Sequence, residues 1–263
     1  GREICTVNRT FSGRSVNQGV NALFLYPYER PQGLAVNEDG AIEIPEMFAG
    51  YVEEENPEID RILEQALREV FLPSGFNDYQ SGSEDYLLQQ MCAVWYVLQQ
   101  SGVSYSNATN IPGRSENVRV QNIRFFSQAL ASAQANCVEG TCMLASIYQR
   151  INLFPYLILT PNHMFLGIGD KEGNLTYFLE TTMIGKVKLD ALATAEEKWE
   201  ASKANFKDAM ATAKKEFEEV KSHVDAEDPY YAVIDLREAR KIIPSINYGS
   251  VRTDSKKSEA KRS

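Results

Sequence analysis

Residues 136–169 read NCVEGTCMLASIYQRINLFPYLILTPNHMFLGIG, and this stretch decides the fold class. After the first cysteine, apolar residues recur at the spacing of a helix, which we expect Pro155 to close. Two strand-like runs follow at 156–160 and 163–169, and the turn DKEGN joins the second to a third run at 175–181. A helix followed by antiparallel strands predicts an α+β fold in which helices pack on an antiparallel sheet.

Three more helices and one more strand are predicted around this stretch. Asn56 and Ser83 each begin a helix, because each can cap the helix end and is followed by acidic residues near its positive pole. A long helix is predicted at 190–224 and a strand at 230–236. The apolar stripe of the long helix is typical of packing within one chain, although a coiled-coil partner helix also fits it.

The chain divides into three predicted segments. Residues 1–52 form a small β-rich segment that either adds strands to its neighbour or forms a cap, residues 53–250 form the main domain, and residues 251–263 form a flexible tail. The strands predicted in the first segment are at 5–11, 22–28 and 41–44.

Composition excludes several classes of function. The net charge of -9 argues against a nucleic-acid surface, and no apolar run approaches the length of a membrane span. Neither a nucleotide-binding glycine motif nor a calcium-binding loop is present, so no cofactor is expected. The chain begins with Gly1 rather than methionine, so we expect a trimmed N-terminus, which favours an extracytoplasmic location.

Cys137 and Cys142 stand five residues apart near a helix start. Structural zinc needs four ligands, and only His163 and His223 could complete a set, so no metal site is expected. On a helix the two thiols would point about 140° apart, which also argues against a disulfide unless the first lies before the helix. Two core thiols, or one nucleophile and one core thiol, remain.

The position of Cys137 favours the nucleophile. Asn136 can cap the helix, which puts Cys137 in the first turn, where unpaired N–H groups favour a thiolate. A nearby imidazolium adds to this effect. Cys142 lies more than a turn further on and is expected to fill the core.

A cysteine nucleophile needs a histidine, and the histidine needs a group that orients it. Counting outward from a turn centred between Lys171 and Glu172 places His163 opposite Glu180, with a shift of one or two residues allowed. Opposed residues on antiparallel strands share a face, with Cβ atoms about 5 Å apart. The hairpin therefore predicts a His163–Glu180 pair next to Cys137.

These residues resemble a known family. The run from NCVEGTC to HMFLGI, followed by FLETTMIG, is similar to the transglutaminase-like branch of the papain-like cysteine enzymes, and most of all to its bacterial members. The shared features are Cys-x-[Asp/Glu] at a helix start, Ala-Ser in the helix body, a strand opening at the histidine and a final Glu-Thr-Thr. The similarity covers roughly residues 84–245, and the motifs lie within 136–185.

The resemblance implies a papain/transglutaminase-like core and a catalytic triad. Cys137 matches the nucleophile, His163 the base and Glu180 the orienting residue, while Glu139 matches a structural acidic position. The backbone N–H of Cys137 is the expected oxyanion donor, with Gln121 or Asn136 as a second donor.

The implied function is attack on a peptide or amide bond of a protein or peptide substrate, with a thioester intermediate. Hydrolysis by a protease or amidase is favoured over crosslinking. Two alternatives stay open: a non-catalytic protein-binding module on the same fold, and an N-glycan amidase or acyltransferase with the same triad.

Overall fold

The computed structural model describes residues 45–77, 79–80, 82–106, 123–228 and 230–246, together with the backbone of three strands within 21–25, 113–115 and 118–122. In this part of the chain the α-helices are α1 Pro57–Glu69, α2 Glu84–Gln100, α3 Phe126–Ser132, α4 Cys137–Arg150, α5 Ala195–Asp225 and α6 Leu236–Ala239. The strands are β1 Asn21–Leu25, β2 Ser104–Tyr105, β3 Gly113–Ser115, β4 Val118–Ile123, β5 Gln134–Ala135, β6 Phe154–Leu159, β7 Met164–Gly169, β8 Leu175–Leu179 and β9 Ala232–Asp235. Short 3-10 turns occupy Pro45–Tyr51, Thr181–Met183 and Leu189–Ala191.

The main sheet has four antiparallel strands in the order β8-β7-β6-β9. This arrangement confirms the predicted α+β class with helices on an antiparallel sheet. Strand β7 is central, and all six of its residues are buried. A strand that is buried throughout needs cover on both faces, which the helices supply.

Helix α4 covers one face of the sheet and helix α5 covers the other. Leu157 and Leu166 belong to the main core, which also contains the buried face of α4. The alternate residues Phe165 and Phe178 instead form a second cluster with Phe217 of α5. The period of two along each strand thus divides its apolar side chains between the two layers.

Helix α5 packs within the chain, which accounts for its apolar stripe without a coiled-coil partner. Beyond its contacts with the sheet, α5 shares a buried polar cluster with α2. Asn205 Oδ1 accepts hydrogen bonds from Trp95 Nε1 at 3.1 Å and Gln99 Nε2 at 2.8 Å. Ser202 Oγ donates to Gln99 Oε1 at 2.6 Å, so these buried groups are paired.

The starts of α1 and α2 are where the sequence predicts them, whereas the end of α4 is not. Asn56 and Ser83 cap α1 and α2 as expected. Helix α4 ends at Arg150, and Pro155 lies inside β6 instead of closing the helix. Proline is tolerated there because β9 pairs with β6 only from Tyr156 onward, so no hydrogen bond to that neighbour is lost.

Helix α5 begins at Ala195, later than the predicted start at Asp190. Thr194 caps it, with Glu197 completing a reciprocal capping box. Asp190 instead lies in the 3-10 turn Leu189–Ala191.

The N-terminal segment contributes a strand to its neighbour. Strand β1, which overlaps the run predicted at 22–28, pairs antiparallel with β4. The runs predicted at 5–11 and 41–44 and the tail at 251–263 lie outside the described residues. None of the helices in the described part of the chain combines the length and the apolar character needed to cross a bilayer.

Candidate active site

Cys137 is the first residue of α4. Asn136 caps the helix, and its Oδ1 accepts a hydrogen bond from the Glu139 N–H at 2.9 Å. Glu139 Oε2 in turn accepts from the Asn136 N–H at 3.0 Å. This capping box fixes the first turn, so the Cys137 side chain has a defined position at the helix start.

Glu139 also anchors the helix start to the segment after β4. Its carboxylate is fully buried and accepts three hydrogen bonds from Arg124: from the backbone N–H at 2.9 Å, from Nε at 3.0 Å and from a terminal guanidinium nitrogen at 2.7 Å. Together with the bond from Asn136, these contacts satisfy the buried charge. Glu139 thus joins the helix start to the segment after β4.

The first turn of α4 supplies candidate oxyanion donors. In the part of the chain that the structure describes, no acceptor lies within hydrogen-bonding distance of the backbone N–H groups of Cys137 and Val138. Such unpaired groups give a helix N-terminus its affinity for negative charge. Asn136 uses its Oδ1 for the cap, and Gln121 lies on β4 with its side chain outside the described residues.

His163 lies immediately before β7 and is held by Glu180, which follows β8. His163 Nε2 is 2.7 Å from Glu180 Oε2. Glu180 Oε1 accepts from the N–H of Thr182 at 2.9 Å and from its hydroxyl at 2.5 Å. The buried Glu180 carboxylate is therefore fixed from both sides.

The hairpin register differs by two residues from the central prediction and lies at the edge of the allowed shift. Leu166 pairs with Leu179, and the register slips at an irregularity between Ile168 and Gly169. His163 and Glu180 are consequently diagonal neighbours instead of directly opposed residues. The pair still forms, because diagonal neighbours on one face lie within reach of long side chains.

The Cys137 side chain lies beside the His163 ring, near enough to raise the pKa of that ring. Since Nε2 bonds to Glu180, the other ring nitrogen, Nδ1, is the one left for the thiol. The structure thus brings all three predicted catalytic residues together, from a helix, a strand start and a strand end.

The surroundings of His163 favour its charged form. Burial disfavours a charged ring, but hydrogen bonds to Cys137 and Glu180 and the nearby carboxylates outweigh this effect and raise the pKa of His163 to about 10. Burial acts to raise the pKa of Glu180, yet its bonds to His163 and Thr182 dominate and lower it. At neutral pH the pair is an imidazolium and a carboxylate.

Sequence reasoning missed Glu216, a second carboxylate at this site. Glu216 Oε1 of α5 lies 3.9 Å from His163 Nε2. Burial, together with the neighbouring Glu180, raises the pKa of Glu216. No local pattern marks this glutamate among the many acidic residues of α5, so only the packing of the helix reveals it.

Among the described residues, the one cluster whose atoms could surround a metal ion is formed by His163, Glu180 and Glu216, with these atoms within 4.8 Å of one another. We assign it no metal role, because the 2.7 Å contact engages His163 Nε2 with Glu180. The other described cysteines are buried and free. Burial raises the pKa of Cys142 far above its ordinary value and that of Cys92 to about 12, so both are core thiols.

Comparison of the chain with protein-family models, curated proteins and solved structures finds no match. Function must therefore be argued from the site itself.

Proposed function

We propose that this protein is a transglutaminase-like cysteine enzyme with a papain-like core, acting on peptide or amide bonds through a thioester. The observation that carries the proposal is the contact of the first-turn thiol of Cys137 with an imidazole that a buried carboxylate holds at 2.7 Å. A thiol beside a ring that an orienting acid holds is the arrangement that nucleophilic acyl chemistry requires.

In the first half of the reaction, the Cys137 sulfur attacks the amide carbonyl carbon as a thiolate, and the oxyanion that forms is bound by the first-turn N–H groups. The proton on His163 passes to the departing amine nitrogen as the carbon–nitrogen bond breaks. A thioester on Cys137 and a neutral imidazole remain.

In the second half, the imidazole takes a proton from water as the water oxygen attacks the thioester carbon. The carbon–sulfur bond breaks, the acid product leaves, and the thiolate–imidazolium pair is restored. An amine in place of water would give transamidation, and the family resemblance favours water.

Alkylation by iodoacetamide at neutral pH tests whether the site is reactive. Cys137 should react rapidly, while Cys92 and Cys142 serve as unreactive controls in the same molecule. His163→Ala should slow the reaction at Cys137 by at least about tenfold, since the imidazolium that favours the thiolate is lost. Equally slow labelling of all four thiols, including Cys5, would contradict catalysis and favour a non-catalytic binding module.

Product analysis tests the reaction itself. The protein is incubated with a defined mixture of synthetic peptides and glycopeptides, and the products are identified by mass spectrometry. Cleaved peptide or released ammonia that is absent with Cys137→Ala supports the proposal. Free glycan, or acyl transfer to an added amine without hydrolysis, would replace it with the corresponding alternative.

A further inference from the structure

Helix α5 reaches the candidate active site through two separate contacts. Glu216 Oε1 lies 3.9 Å from the same His163 nitrogen that Glu180 Oε2 contacts at 2.7 Å. The backbone N–H of Glu180 also donates a hydrogen bond to the carbonyl of Ala209 at 3.1 Å. One helix thus touches both the imidazole and the residue that orients it.

The position of Glu216 is fixed by its neighbour along the helix. Phe217 packs against Phe178 of β8 with ring centroids 4.4 Å apart. Phe178 lies two residues before Glu180, and Phe165, which lies two residues after His163, belongs to the same cluster. The aromatic packing that docks α5 on the sheet therefore also sets the distance between Glu216 and the ring.

Glu216 differs from the other acidic residues of this part of α5. Its side chain is 30% exposed, whereas that of Glu219 is 65% exposed and pairs with Lys215. Glu218 is exposed as well. An ordinary surface glutamate would face water, but this one faces an imidazole.

Three titratable groups surround the His163 ring, and each comes from a different part of the fold. Cys137 approaches from α4, Glu180 from the end of β8 and Glu216 from α5. Glu219 adds negative charge beside Glu216. A second carboxylate near 4 Å favours a charged ring, and it lies beside Glu180 at the same ring nitrogen, with one atom of the ring and one of each carboxylate all within 4.8 Å of one another.

We propose that Glu216 is a positioning residue that keeps the His163 ring protonated and directed toward the Cys137 thiol. This inference rests on the proposed function of the site. Glu180 fixes the ring by a direct bond, and Glu216 stabilises the same charge from α5. The long helix is then part of the active site and not only a cover for the sheet.

Nuclear magnetic resonance of the histidine rings tests this role without any substrate. The chain has only two histidines, so His223→Gln leaves the His163 ring as a single titrating signal. We expect a titration midpoint near pH 10. Glu216→Gln should lower that midpoint by roughly one unit, the size expected for the loss of a charge at this distance.

Glu218→Gln is the matched control, because it removes the same charge from the same helix at an exposed position. The His163 midpoint of this control should equal that of the parent protein. The midpoint of Glu216→Asp should lie between those of the parent protein and Glu216→Gln. Glu216→Ala repeats the test with the best helix-forming residue, should the amide disturb folding. Equal midpoints for the Glu216→Gln or Glu216→Ala variant and the Glu218→Gln control would overturn the proposal.

The titration reports the protonation of the His163 ring and does not depend on catalysis. The proposed role of Glu216 and the proposed function of the protein can therefore fail separately. A shifted midpoint in a protein that cleaves no peptide keeps the role of Glu216 in holding the ring and removes the proposed function. An unshifted midpoint in a protein that cleaves peptides keeps the proposed function and removes the role of Glu216.

Discussion

At the scale of single residues, the surroundings of each thiol decide its role. Cys142 lies five positions after Cys137 in the same helix, but it is sealed in the core, where burial raises its pKa. Cys137 instead stands at the helix start in contact with an imidazole. Two identical side chains therefore differ in their surroundings, because one lies beside an imidazole and the other is buried in the core.

The Arg124–Glu139 ion pair is expected to be the most sensitive polar contact near the thiol. Arg124→Ala would leave the carboxylate of Glu139, which is fully buried, without its guanidinium partner. Removing one member of a buried pair costs about 3–5 kcal/mol, so the free energy of unfolding should fall by that amount. Urea unfolding followed by circular dichroism measures the change.

Arg150→Ala is the control for this experiment. Arg150 pairs with Glu55 and Asp60 at the surface, and its loss should cost no more than about 1 kcal/mol. A similar decrease in the free energy of unfolding for the two arginine variants would show that the buried pair contributes no more to stability than the surface pair.

The residue scale also shows what the sequence can predict about the site. His163 and Glu180 could be paired from the hairpin alone, since both lie close to one turn and share a face. Glu216 could not, because its contact depends on how a distant helix is rotated over the sheet. Local spacing predicts the contact between His163 and Glu180, whereas the contact between His163 and Glu216 depends on tertiary packing alone.

At the scale of elements, helix starts that carry a capping side chain close to the apolar pattern were predicted correctly. Asn56, Ser83 and Asn136 all cap helices, because a side chain that bonds to the first turn is a local signal. Pro155 misled the prediction, since proline can end a helix or sit in a strand beyond the last paired neighbour. The partner β9, which pairs with that strand only from Tyr156 onward, lies far away in sequence and leaves no local signal.

Phe217 is expected to hold helix α5 on the sheet. Phe217→Ala removes a buried ring that packs on Phe178, so the free energy of unfolding should fall by about 3–5 kcal/mol. Urea unfolding followed by circular dichroism measures this decrease. Because Glu216 is the adjacent residue, the pKa of His163 should also fall in this variant.

Phe71→Ala makes the same change of side chain at a position that is 82% exposed. It should alter the free energy of unfolding by less than about 0.5 kcal/mol. A Phe217→Ala variant as stable as Phe71→Ala would contradict the packing of α5 described above.

At the scale of the whole molecule, the protonated ring links stability to pH. Its pKa is 6.5 in the unfolded chain and about 10 in the folded one, so the folded protein binds the extra proton between these values. The stabilisation is therefore complete below about pH 6.5 and is lost as the pH rises through about 10.

His163→Gln isolates this contribution. The difference in free energy of unfolding between the parent protein and the variant should be largest near pH 6 and should shrink steadily toward about pH 10. Urea unfolding of both proteins at several pH values measures it. A difference that stays constant or grows over this range would show that the folded protein does not hold the ring charged.

The hydrogen bond from the Glu180 backbone to Ala209 has a consequence for biosynthesis. Ribosomes make the sulfur and the imidazole well before the segment that encloses them, so a nascent chain holds its reactive groups on an unfinished scaffold. We expect such chains, and products clipped ahead of the long helix, to be inert. Late completion would then protect the translating cell from premature reaction.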